Sequence, residues 1–140
     1  MDLKNVTAYC GIDCFNCEVY KDNITPEFQQ HLASVTGRKA EEITCEGCKI
    51  SGCIFTNGTC ETKSCIMAKN LDFCHECDEF PCSKLMPVKD GAEKYPHNFK
   101  LYNLCRMKKL GLEEWAKESK TIREMYFKGK LQIGTGPILD

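Results

Sequence analysis

Twelve cysteines in 140 residues constrain this chain more than any other feature, because eleven of them fall within the first 86 positions at short, recurring spacings. They run Cys10-x3-Cys14-x2-Cys17, then Cys45-x2-Cys48-x4-Cys53-x6-Cys60-x4-Cys65, then Cys74-x2-Cys77-x4-Cys82. Three Cys-x-x-Cys pairs stand out. Two sulfurs spaced this way face one ion when the backbone turns tightly and its N–H groups point at them, and two such pairs complete a tetrahedron around zinc. Composition explains why such ions are needed. The apolar fraction of 42%, about 59 residues, includes the twelve cysteines, so roughly 47 remain for an ordinary core. A reserve that thin calls for cross-links to offset the entropy of ordering loops.

The cross-links are expected to be metal–thiolate bonds. The first residues, Met1 to Thr7, carry no apolar leader region, and no 18-residue apolar run occurs, so the reading is a cytoplasmic protein in a reducing compartment, where six disulfides do not persist. Cys45, Cys48, Cys60 and Cys65 approach a four-thiolate zinc site, with Gly47 permitting the turn inside the first pair. Cys14, Cys17, Cys74 and Cys77 are most economically a second site, for which Cys10 or Cys82 can substitute. The partition stays open between two zinc ions and three. Cys105 shares a helix face with Leu101 and Leu104 and is expected to be a buried free thiol; Cys53 is undecided.

Cys10-x3-Cys14-x2-Cys17 also has the spacing with which radical S-adenosylmethionine enzymes hold a [4Fe–4S] cluster, but those need a large partial barrel that this chain is too short to build. Iron–sulfur ligation in general remains the alternative to zinc, since thiolate-only sites suit both metals. The histidines, His31, His75 and His97, have no partners at catalytic spacing, and His75 is expected to be a solvent-facing turn residue. No Ser-His-Asp set, carboxylate pair or phosphate-cradling glycine loop is present, and Asp13 and Glu18 are expected to be solvated.

Periodicity places helices around this cysteine scaffold. Thr25 as N-cap and Pro26 at the first position precede Phe28, Leu32 and Val35, with Gly37 ending a helix over 26–36. Beyond Pro87, Phe99 to Leu110 and Trp115 to Tyr126 read as two helices joined at Gly111, a suitable left-handed C-cap. The fold class is therefore a small, metal-bound, loop-rich, α-dominated domain: zinc knuckles plus helices with a C-terminal αα-hairpin. Its parts are a cysteine-rich region (1–90), a helical hairpin packed on it (91–130) and a tail (131–140) that is a short strand or loose, all within one structural domain.

The net charge of −1 conceals an asymmetry. Met1 to His97 carry 10 basic residues against 15 acidic, and Asn98 to Lys130 carry 9 against 4. The acidic cysteine-rich part disfavours nucleic acid, and no membrane association is indicated.

Taken together, Cys10-Gly11-Ile12-Asp13-Cys14-Phe15-Asn16-Cys17, Cys45-Glu46-Gly47-Cys48-Lys49, Cys74-His75-Glu76-Cys77-Asp78-Glu79-Phe80-Pro81-Cys82 and Leu110-Gly111-Leu112-Glu113-Glu114-Trp115 resemble the cysteine-rich prokaryotic family catalogued as domain of unknown function 3795, over residues 8 to about 118. The resemblance implies zinc binding, brings no biochemical activity, and points to anaerobic bacteria and archaea. Some members close with a further Cys-x-x-Cys, where this chain has Leu131-Gln132-Ile133-Gly134. The expected function is a non-catalytic module with structural zinc that contacts an unknown protein or small-molecule partner through Lys108, Lys109, Lys117, Lys120 and Arg123 of the hairpin or an adjacent groove. The alternative is a metal-dependent redox protein or enzyme.

Overall fold

A computed structural model of the chain describes residues 1–55, 60–85, 98–132 and 136–139. The described residues are helix-rich. The helices are α1 (Leu3–Val6), α2 (Pro26–Thr36), α3 (Glu61–Ala68), α4 (Asn98–Leu110) and α5 (Leu112–Lys128), followed by strands β1 (Lys130–Gln132) and β2 (Gly136–Ile138). Single 3-10 turns at Cys14–Asn16, Ala40–Glu42, Cys74–Glu76 and Ser83–Leu85 shape the cysteine-bearing loops between helices. The two strands pair antiparallel, with Lys130 opposite Ile138. None of the described helices is long and apolar enough to cross a membrane.

Local signals account for α2. The Thr25 hydroxyl accepts the Phe28 N–H at 3.2 Å, Pro26 needs no donor at the first position, and Gly37 closes the helix at φ +69° while its N–H donates to the Ala33 carbonyl. Its inward face is less covered than the periodicity predicts. Val35 is 63% exposed and Phe28 36%, and no α2 residue is fully buried. The helix is tied down in part by a polar contact, Gln29 Nε2 donating to the carbonyl of buried Ile43 at 3.1 Å.

The core lies where α4 and α5 meet the Cys10 and Cys74 loops. Phe99, Leu104 and Met107 from α4 and Trp115 and Ile122 from α5 are almost entirely buried against Ala8, Cys10, Cys14 and Cys74. The Phe15 ring meets Trp115 edge-on at 6.0 Å. Gly111 has φ +87° and ψ 163°, an extended conformation open to glycine rather than the left-handed helical one expected, and it turns the chain from α4 directly into α5.

One polar relay crosses this core. Asn103 donates through Nδ2 to the Gly11 carbonyl at 2.8 Å and accepts the Trp115 indole N–H at 3.1 Å. Both amide ends of a fully buried side chain are thereby satisfied, locking the first cysteine loop onto the helices. Gly11 has no alternative there: a Cβ would stand 2.8 Å from Leu104 Cγ and 2.9 Å from the Lys100 carbonyl, at φ +87°.

Three sequence expectations about this packing are corrected. Cys105 is exposed, not buried: α4 buries the Phe99–Asn103–Met107 row together with Leu104, and Cys105 sits one residue beyond Leu104, about 100° further round. Asp13 is fully buried rather than solvated, and Arg123 is not a surface cation. The Arg123 guanidinium donates to Asp13 at 2.8 Å and to Glu18 at 2.9 Å, so that α5 holds the first cysteine loop by an interior ion pair.

Candidate functional site

Eleven of the twelve cysteines fall into two groups that the spacing does not predict. Seven belong to an interior group on the first and second cysteine segments. Cys14 lies within electrostatic reach of Cys10, Cys48 and Cys45; Cys48 of Cys10, Cys60 and Cys53; Cys53 of Cys45, Cys10 and Cys60; and Cys17 of Cys45. The other four, Cys65, Cys74, Cys77 and Cys82, line one cavity of about 150 Å³ together with Ile66, Phe80 and Leu85. Cys74 links the groups, since it lies within electrostatic reach of Cys10 as well as of Cys82, Cys65 and Cys77.

This arrangement parts Cys60 from Cys65 and the Cys14–Cys17 pair from Cys74–Cys77. The reason is helical: Cys60 precedes the first residue of α3 and Cys65 lies within it, so five residues turn their side chains about 140° apart. Cys53, undecided in the sequence, lies with the interior group.

Backbone donors mark the interior group. The N–H of Gly47 donates to Cys45 Sγ at 3.3 Å. The same two-residue step repeats at Ile12 to Cys10, Val19 to Cys17 and Phe55 to Cys53, while the Cys48 N–H serves Cys14. Gly47 permits its turn at φ +107°, where a Cβ would meet the Val6 and Asn5 backbone at ordinary contact distance. Burial works the other way, disfavouring the charged form: it raises the Cys10, Cys14, Cys17 and Cys53 thiols above their ordinary range and pushes Cys48 up to about 12. In the cavity, burial and then the neighbouring thiols push Cys74 up to about 12.

Cations stand beside both groups. Lys69, at the end of α3, donates to Cys77 Sγ at 3.1 Å and pairs with Glu79. Lys49, which follows Cys48, is half-buried between the rings of Phe73 and Tyr9, 4.1 and 4.7 Å from their centres, and donates to the Lys4 carbonyl. Desolvation lowers its pKa. His75 stacks on Phe73 at 5.7 Å rather than facing open solvent. His97 lies outside the described residues.

As the side chains stand, no three His, Cys, Asp or Glu residues among those described converge closely enough to hold an ion. The donor set nevertheless has the chemistry of a thiophilic cation site, with sulfur alone as ligand and amide N–H groups turned on it; convergence requires rotation about the Cα–Cβ bonds. A larger cleft of about 220 Å³ beside Arg123 holds no cysteine, and its Glu18, Glu124, Lys120 and Lys128 walls carry both signs of charge.

Asn103, Lys49, Lys69 and the Asp13–Arg123 pair were not singled out as parts of the site. Asn103 had a signal, because it falls in the i, i+4, i+8 row with Phe99 and Met107. The others depend on segments distant in sequence. Compared with known families, the chain matches the family described as protein of unknown function (DUF3795) over residues 6–87, more than half its length and ending before α4. No curated protein and no solved structure matches it.

Proposed function

This chain belongs to the DUF3795 family, whose function is unknown, and we propose that it is a non-catalytic metal-binding module of the cytoplasm whose cysteines hold two or three zinc ions that fix its loops. The observation that carries this reading is the amide donor at sulfur: the Gly47 N–H donates to Cys45 Sγ at 3.3 Å, and the backbone two residues further on favours the thiolate at Cys10, Cys17 and Cys53. A neutral thiol is a weak acceptor, whereas a thiolate gains from every such donor and is the form that ligates metal. Burial opposes bare thiolates here, so a cation at their centre is the partner that reconciles desolvation with the donors.

Four thiols suffice for one tetrahedral site, and seven exceed one site, which supports a count above one per chain. The candidate ligands are Cys10, Cys14, Cys17, Cys45, Cys48 and Cys60 inside, joined by Cys53, and Cys65, Cys74, Cys77 and Cys82 at the cavity. The chain is read as one structural unit with the hairpin resting on the cysteine-rich region. Exposed Lys108, Lys109 and Lys120 offer a basic contact for a protein partner.

Elemental analysis and native mass spectrometry of anaerobically purified protein test this. Stoichiometric zinc in a colourless protein is the expected result. A protein free of metal when purified intact overturns it. An iron–sulfur protein is the second reading, favoured by a donor set made of sulfur alone, and it requires a brown protein carrying iron and acid-labile sulfide.

A further inference from the structure

The two thiol groups differ in how the chain is built around them. The interior group is spread over two segments, joined by the backbone bond from the Lys21 N–H to the Cys45 carbonyl at 2.9 Å and by the Cys48 N–H on the Cys14 sulfur. Within it Cys10, Cys14 and Cys45 are each less than a tenth exposed, while Cys17, Cys48, Cys53 and Cys60 are partly exposed. Three of the four cavity thiols instead sit on residues 74–85, built from two single 3-10 turns. Among the described residues two backbone hydrogen bonds tie that segment to the rest of the chain, Cys74 N–H to the Tyr9 carbonyl at 2.9 Å and Glu76 N–H to the adjoining Phe73 carbonyl at 3.0 Å. Cys65, Cys77 and Cys82 remain partly exposed at the cavity, where Lys69 and Glu79 stand beside Cys77.

We propose that the Cys65–Cys74–Cys77–Cys82 cavity is an exchangeable zinc site, one that takes up and surrenders its ion to a competing thiol or chelator while the interior sulfurs retain theirs. This rests on the reading of the chain as a thiolate metal-binding protein and assigns different roles to its two groups. Ligand exchange proceeds by attack of an incoming ligand on the ion, so it is fast where the ligating sulfurs border open space on a segment that opens locally. It is slow where they are enclosed. The Lys69 ammonium, which donates to Cys77 Sγ, offsets part of the −2 charge of a four-thiolate zinc.

The test is chelator competition on the full zinc-loaded chain, followed by native mass spectrometry and circular dichroism, with pulses of iodoacetamide mapped by peptide mass. One zinc leaving at least tenfold faster than the others, with the helical signal retained and Cys65, Cys74, Cys77 and Cys82 becoming alkylated together, is the expected result. Exposed Cys105 reacts throughout and serves as the internal reference. The paired variant Cys77→Ser/Cys82→Ser is expected to lose that one zinc alone. Release of all zinc in a single phase with the helical signal, or a fast phase that exposes interior cysteines, overturns the proposal while leaving metal binding intact. Failure of the chain to retain any metal overturns both. The wild-type labelling decides the matter even if the paired variant does not fold.

Discussion

The helical hairpin and the cysteine loops lie against each other yet are held by different forces. In α4 and α5, Phe99, Leu104, Met107, Trp115 and Ile122 are each at most 3% exposed, so apolar burial is the leading contribution to their order. In the first cysteine loops the buried set is Val6, Ala8, Val19, Tyr20 and Ile43, interleaved with sulfur, Thr7 and Asp13. The Thr7 hydroxyl is buried with no hydrogen-bond partner among the described residues. A region whose interior mixes these apolar residues with sulfur and polar groups gains less from excluding water, which teaches that part of its order must come from bonds to specific atoms.

That contrast breaks first if metal is removed completely. Stripping every zinc is expected to withdraw on the order of 10 kcal/mol of folding free energy and to unfold the chain, read as loss of helical circular dichroism. Full helicity after complete removal would erase the distinction. The same experiment run in reverse sharpens it through protons. The raised thiols are protonated at neutral pH, with Cys48 and Cys74 so up to about 12. Loading is thus expected to release about four protons per zinc, and affinity to fall as pH is lowered; pH-indicator titration in weak buffer measures both.

The interior ion pair tests the seam between the two regions. Burial pushes the Asp13 carboxyl up, and Arg123 and Asn16 pull it back only in part. Arg123→Met leaves that carboxylate uncompensated and is expected to cost about 3–5 kcal/mol in urea unfolding. At Glu18, burial raises the pKa but the Arg123 hydrogen bond and charge outweigh it, so its carboxyl titrates below the ordinary range. The Glu18 contribution is therefore present above the ordinary carboxylate range and lost as pH falls through the lowered value. Because the Glu18 side chain is 57% exposed, Glu18→Gln is expected to cost less than about 1 kcal/mol at neutral pH. Equal losses from the two variants would show that burial does not govern the seam.

Gly11→Ala strikes the same seam from the backbone side. Its Cβ meets the Lys100 carbonyl at 2.9 Å, so about 1–3 kcal/mol is expected from thermal or urea melts, with metal content unchanged. The smallest effect belongs to Cys105→Ser. An exposed thiol outside both groups should alter stability by no more than about 0.5 kcal/mol and leave the zinc count untouched.

The amino-acid sequence by itself determined what a few neighbouring residues decide. Thr25, Pro26 and Gly37 bound α2 because capping and φ preference act within one turn of chain, and the turn inside the Cys45–Cys48 pair aims the Gly47 amide at the Cys45 sulfur for the same reason. The dominance of sulfur over apolar burial in the first half was equally legible, being a matter of composition. Tertiary structure alone decided which cysteines lie near one another, because the chain must close in space before Cys74 can approach Cys10. It also decided that Arg123 and Asp13 are interior and Cys105 is not. Burial is a property of what packs against a residue, and here the packing comes from segments about a hundred positions away, whose approach no local pattern encodes.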